Sequence, residues 1–211
     1  MKIIAFVPIK LNSERLKNKN ILNLGDKPLC YYIFNTLKQI SIIDKIYVFC
    51  SDEKIKDYIP NDIIFLKRDK SLDENNVLGI DIYESFISKV NSDIYLLCHA
   101  TSPFISKNSI QLGLNNIIKN GYDSSCSSIT INTFSWYNKC PLNYKLDNIP
   151  RTQDINPVII ETSAFYAFRK EVIENKRRIG NNHFFVETNF KESIDIDSEE
   201  DYKIAKIFLN N

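Results

Sequence analysis

At 211 residues and 44% hydrophobic content, the chain can bury one ordinary core, and nothing in it calls for a second domain. Its 27 basic and 26 acidic residues leave a net charge of +1, with acids interspersed among the lysines, which excludes an electrostatic footprint for DNA or RNA. Five cysteines without a C-x-x-C spacing read as thiols of a reducing, cytoplasmic compartment, and no apolar run approaches the roughly 20 residues of a membrane-spanning helix.

Short apolar strands alternate with amphipathic helices along the chain. Strands are predicted at Ile3–Val7, Lys45–Cys50, Ile63–Lys67, Asp93–Cys98, Ser124–Ile131, Ile160–Phe168 and Ser193–Asp197. Helices are predicted at Pro28–Gln39, Glu53–Tyr58, Val77–Lys89, Asn108–Asn120, Lys170–Asn175 and Ser198–Leu209, with Pro28 at a first helical position and Gly121 as a stop. The order implies an α/β fold: a single-domain, doubly wound, mostly parallel sheet with helices on both faces. Ligands bind such sheets beyond the C-terminal ends of the strands, so the loops after Val7, Lys67 and Cys98 share one rim.

The loop leaving the first strand, residues 9–20, carries Lys10, Arg15, Lys17 and Lys19 against a single acid, Glu14. Cations and backbone N–H groups in that position suit an anion such as a triphosphate, although a solvated basic turn has the same composition. Residues 132–158 break the alternation with an aromatic, aperiodic stretch around Trp136, Tyr137 and Tyr144. Irregular segments of this length in a compact domain are usually functional or interfacial. Near the C-terminus, Ser193-Ile-Asp-Ile-Asp alternates polar and apolar residues. That period places Asp195 and Asp197 on one face, where a divalent Mg²⁺ or Mn²⁺ would relieve their repulsion. Ser198 then caps a helix with Glu199, Glu200 and Asp201 in its first turn. D-x-D also occurs in nucleotide-sugar glycosyltransferases, but there it normally falls mid-chain.

Taken in order, these segments resemble the acylneuraminate cytidylyltransferases, enzymes that activate acidic eight- and nine-carbon sugars with CTP. The resemblance rests on Ala5-Phe-Val-Pro-Ile-Lys-x-x-Ser-x-Arg-Leu-x-x-Lys-Asn20, Gly25-Asp-Lys-Pro-Leu, Leu96-Leu-Cys-His-Ala-Thr-Ser-Pro-Phe104, Pro150-Arg-Thr-Gln153 and Ser193-Ile-Asp-Ile-Asp-x-x-x-Asp201. It implies a nucleotide-diphospho-sugar transferase-like fold over residues 1–211, with 132–168 as a dimerisation and acceptor-site excursion. Lys10, Arg15 and Lys19 would hold the triphosphate. Asp195 and Asp197 would hold the metal, with Asp197 also catalytic. Ser13, Asn20, Arg68, His99 and Ser102 would bind nucleotide; Arg151, Gln153 and Thr162 would bind the acceptor. The partners implied are CTP, a small sugar acceptor and a second copy of the chain, whose Lys176-Arg177-Arg178 turn would reach the neighbouring site.

The sequence departs from the family pattern in several places. Lys10 replaces Arg, Asn12 stands where Gly is usual, and Glu14 stands where a cation is common. His99 occupies a position more often Gln. Thr162-Ser163-Ala164 stands where Asn-Gly-Ala is usual, and Glu161 before it adds an acid beside the expected acidic sugar. These changes leave open a sugar phosphate or polyol phosphate as acceptor, and a non-catalytic nucleotide-binding protein.

Overall fold

Seven strands form one twisted sheet in the computed structural model, which describes residues 1–13 and 15–209. They are β1 (Ile3–Ile9), β2 (Lys45–Cys50), β3 (Ile64–Lys67), β4 (Ile94–Cys98), β5 (Ser124–Ile131), β6 (Val158–Arg169) and β7 (His183–Glu187), in the spatial order β7-β5-β6-β4-β1-β2-β3. Only β6 runs antiparallel to its neighbours β4 and β5; the other four pairings are parallel. The helices are α1 (Leu29–Lys38), α2 (Gly79–Ile87), α3 (Lys107–Lys119), α4 (Lys170–Glu174) and α5 (Glu199–Leu209).

The continuous apolar run of β1 follows from burial on both faces. Ile3, Ala5, Val7 and Ile9 pack with α1 and α3 side chains such as Phe34 and Leu114, whereas Ile4 and Phe6 face Tyr83 and Phe86 of α2. The Phe6 and Phe86 rings stack with centroids 4.3 Å apart. Gly113 lets α3 lie close against the sheet. A Cβ there would stand 2.7 Å from Ser125 Oγ and 2.9 Å from a Phe165 ring carbon. Gly113→Ala is expected to destabilise the fold by about 1–3 kcal/mol, the usual cost of overpacking, measured by urea denaturation.

Four expectations change. Ser193–Asp197 is not a strand of the sheet. The edge beside β5 is occupied by His183–Glu187, an unanticipated strand whose Phe-Phe-Val centre carries the β propensity. Residues 194–197 instead pass over the site rim, held by Ile196 N–H donating to Thr101 O at 2.8 Å. Their alternation survives: Ile194 and Ile196 pack with Leu24, Leu29 and Ala205, while Asp195 and Asp197 stay half-exposed. Residues Glu53–Tyr58 form a 3₁₀ rather than an α-helix, and Pro28 is the N-cap of α1, with the helix starting at Leu29. Gly121, at φ 76°, follows α3 as expected.

Candidate active site

The loop after β1 and the segment before α5 meet across nearly the whole sequence. Lys19 Nζ lies 2.5 Å from Asp197 Oδ1, and Arg15 Nη1 lies 3.1 Å from Asp197 Oδ2. Each carboxylate oxygen therefore has its own cation. Burial pushes the Asp197 pKa up, but the hydrogen bond from Lys19 and the charges of Lys19 and Arg15 outweigh it and hold the group below the usual carboxylate range. Asp197 is thus an ionised carboxylate near neutral pH. Asp201 fixes the backbone on which it sits, its Oδ2 accepting from Asp197 N–H at 3.1 Å and Ser198 N–H at 2.8 Å. Asp195 presents a different state: its Oδ1 is buried and has no hydrogen-bond partner among the described residues.

Lys10 leads the loop out of β1 and crosses to the segment before α2, where Nζ donates to Asp73 O and, at 3.4 Å, to Asn75 Oδ1. Three clefts meet along this line. One of about 660 Å³ is lined by Lys10, Ser13, Lys17, Lys70 and Asp73. A second of about 230 Å³ brings Lys10, Ser13, Arg15, Lys19 and Asp197 together. A third of about 350 Å³ runs inward past Pro8 and Arg68 to Tyr83 and His99. Glu14, the one acid of the loop, lies outside the described residues.

Several expected nucleotide contacts turn inward. Asn20 is buried, and its Nδ2 donates to Lys10 O at 2.9 Å, so it shapes the loop. Ser102 is fully buried with an unpartnered hydroxyl, out of direct reach of a nucleotide. Arg68 is also buried. It donates to Ile9 O at 3.1 Å and pairs with Asp73 Oδ1 at 2.5 Å, while the other Asp73 oxygen accepts from the Ser51 hydroxyl. Its Nε has no hydrogen-bond partner among the described residues. Asp73 was not singled out from the sequence; an acid five residues after a buried Arg, in a 3₁₀ turn, was the available signal.

His99 extends from the end of β4, and its Nδ1 stands 2.5 Å from Ser163 O. A carbonyl only accepts, so Nδ1 carries the proton and Nε2 is left as an acceptor in the neutral ring. Burial lowers its pKa; Ser163 O and Asp195 oppose that shift, while Arg178 and Lys19 reinforce it. Ser163 adopts the left-handed φ of 60° at a bulge of β6. Thr162, in the same bulge, is buried with an unpartnered hydroxyl.

The acceptor residues divide. Arg151 and Gln153 lie in an exposed 3₁₀ turn, with Arg151 Nε on Asp154 Oδ2 at 2.6 Å, and neither lines these clefts. Arg177 is exposed, its Nη1 donating to Asn181 Oδ1 at 2.7 Å, whereas Arg178 is half-buried and its Nη2 pairs with Glu161 Oε2 at 3.1 Å. The acid added to this chain is therefore balanced by Arg178.

The sequence model of the family described as Cytidylyltransferase matches residues 4–208. N-acylneuraminate cytidylyltransferase A of Danio rerio is 25% identical over 97% of this chain and 50% of that protein. CMP-N,N'-diacetyllegionaminic acid synthase of Legionella pneumophila is 27% identical over 98% of this chain and 95% of that protein. The chain spans about half the length of several of the curated relatives it matches. Among solved structures, CMP:2-keto-3-deoxy-manno-octonic acid synthetase complexed with CTP superposes with a TM-score of 0.75 at 15% identity, covering 100% of this chain and 99% of that one. The fold is thus that of the nucleotide-diphospho-sugar transferases.

Proposed function

The chain belongs to the cytidylyltransferase family, and from that membership we propose that it transfers CMP from CTP to an acidic sugar of the ulosonic type, releasing pyrophosphate and supplying glycan biosynthesis. The observation that carries this reading is the junction of Lys19 and Arg15 with Asp197, which sets triphosphate cations beside a metal-binding carboxylate. The acidic sugars named for the curated relatives indicate the acceptor class.

The triphosphate lies along Lys10, Ser13, Arg15 and Lys19. Arg15 offers a planar fork, and the lysines act as point charges. The base enters the inner cleft, where His99 Nε2 can accept from the exocyclic amine of cytosine. A uracil carbonyl at that position meets another acceptor, so CTP is favoured over UTP. The acceptor hydroxyl attacks the α-phosphorus in line with the departing pyrophosphate, whose growing charge falls on the loop cations.

The residues fit a divalent cation. Asp195 holds an unpartnered buried oxygen and Asp197 an ionised carboxylate, and hard oxygen donors suit Mg²⁺, with Mn²⁺ also accommodated. Among the described residues no three His, Cys, Asp or Glu side chains form a metal cluster. An ion here would be held by one or two carboxylates plus substrate phosphates. When bound, it supplies charge neutralisation at the α-phosphate.

We place the protein in the cytoplasm, where CTP is made. Four free, buried cysteines accord with that setting, and among the described residues no helix is long and apolar enough to cross a membrane. We also propose a homodimer through residues 132–158 and the start of β6. Trp136, Tyr137, Leu146 and Ile149 are each more than half exposed there, and a two-fold pair is the commonest way to cover such a surface. Arg151 and Gln153 would then complete the partner's acceptor site. Sedimentation at micromolar concentration should show a dimer; a clean monomer removes this assignment.

The function is tested by incubating the protein with each NTP, Mg²⁺ and a panel of acceptors while measuring pyrophosphate release. Turnover with CTP and a sialic-, legionaminic- or Kdo-type acid is expected. Turnover of only a sugar or polyol phosphate would move the acceptor class, and CTP binding without any turnover would leave a non-catalytic nucleotide-binding protein.

A further inference from the structure

Two of the clefts share part of their walls. The outer cleft of about 660 Å³, past Lys17 and Lys70, and the inner one of about 350 Å³, ending at His99, have four lining residues in common: Lys10, Asp73, Glu74 and Asn75. A nucleotide with its base in the inner cleft and its phosphates along Lys10 has its ribose between these groups. Three of the four are already engaged. Lys10 Nζ donates to Asp73 O and reaches Asn75 Oδ1 at 3.4 Å. The Asp73 carboxylate is divided between Arg68 and the Ser51 hydroxyl. Glu74 differs. It is exposed, and among the described residues its carboxylate makes no hydrogen bond or ion pair.

The turn that carries Glu74 is fixed from both sides. Its N–H donates to Ser71 O at 3.3 Å, closing the 3₁₀ turn Lys70–Asp73, and its carbonyl accepts from Val77 N–H at 3.2 Å. Asp69 caps the same turn, Oδ1 accepting from Ser71 N–H at 2.9 Å. The backbone therefore presents the carboxylate from a set place between the two clefts, and only the side-chain torsions remain to adjust. An ionised carboxylate has acceptors and no donor, and it repels phosphate. What it can hold beside Lys10, Lys17 and Lys70 is a donor group: a hydroxyl pair or a cation. Ribose presents two adjacent hydroxyls, and an acid accepting from ribose hydroxyls is also how dinucleotide-binding folds read that sugar.

We propose that Glu74 selects ribonucleotide over deoxyribonucleotide, each carboxylate oxygen accepting from one of the 2′ and 3′ hydroxyls. A nucleotide lacking the 2′-hydroxyl leaves one of those oxygens beside the sugar without a donor, and a site built around a substrate hydroxyl rejects the analogue without it. A cation on Glu74 would be the competing use of the same carboxylate. It would touch the phosphates, and so would not distinguish the two sugars. The proposal rests on the CTP reading above, is independent of the acceptor, and adds the residue that reads the sugar of the nucleotide.

The test is calorimetric titration of the protein with CTP and with 2′-deoxy-CTP, in Mg²⁺ and without acceptor. The wild-type protein is expected to bind CTP about 10–100-fold more tightly, the range of hydrogen bonds to charged groups. Glu74→Ala should bring the two affinities within a few fold, CTP losing more than 2′-deoxy-CTP. Glu74→Gln keeps one acceptor oxygen and drops the charge, so it should fall between. The side chain is exposed, and both variants should keep the wild-type melting temperature. A role in shaping the turn or holding the metal ion would weaken both nucleotides alike and keep their ratio. An unchanged ratio in Glu74→Ala, or no preference for CTP in the wild type, overturns the assignment of Glu74 alone. Failure of the wild type to bind either nucleotide overturns it together with the cytidylyl-transfer function.

Discussion

Asp197→Asn is expected to lower kcat by on the order of 10²–10³-fold, the loss typical of removing one transition-state charge contact. The substitution keeps the side-chain size and removes the charge that the metal requires. It also releases Lys19 and Arg15 from their internal counterion, which stands 2.5 and 3.1 Å away. Both cations then become fully available to the triphosphate, so CTP affinity should be kept or raised while turnover collapses. Pyrophosphate-release kinetics with a calorimetric CTP titration separate the two effects. Asp195→Asn should act in the same direction, through the oxygen that now has no partner. Near-wild-type rates in both variants would return the pair to a structural role.

The second large effect concerns stability. Asp73→Ala leaves the Arg68 guanidinium buried without its counterion, and it strips the Ser51 hydroxyl of its acceptor. Breaking one side of a buried pair typically costs about 3–5 kcal/mol, because the remaining charge cannot return to water. For a chain of this size that corresponds to a fall in Tm of roughly 10 °C, read by scanning calorimetry. The exposed pair Arg151–Asp154 is the control: its side chains are 74% and 49% exposed, and Arg151→Ala should change stability by less than about 1 kcal/mol. Equal losses in the two variants would contradict the burial argument. CTP should also bind Asp73→Ala weakly, since the Asp73 carboxylate holds Arg68 in the wall of the inner cleft.

Much of the architecture is legible in local pattern. The run Ile3-Ile-Ala-Phe-Val can only be a strand covered on both faces, and the alternation of such runs with amphipathic helices fixes a doubly wound sheet and the rim on which its loops gather. The basic loop after β1 and the acids before α5 are equally local signals, because charge and period are read directly from residue types. The pattern misled where a local preference was overridden by pairing. Ser193–Asp197 alternates as a strand does, but the β5 edge belongs to His183–Glu187, so the acidic segment crosses the rim instead.

Residue types alone supply the inventory: an α/β chain, cations at one end, paired acids at the other, and an aromatic excursion between them. Which groups meet follows from how distant segments fold together. Arg15 and Asp197 are 182 residues apart yet 3.1 Å distant. Arg68 is expected to meet the nucleotide but is buried against Asp73, and Arg178, expected to reach a neighbouring site, closes on Glu161. The physical reason is common to all three. A charged side chain has no intrinsic partner along the chain. Its counterion and its burial are set by the sheet order, which brings the ends of β1, β4 and β6 side by side, and by the bulge in β6 that aims Glu161 at the rim.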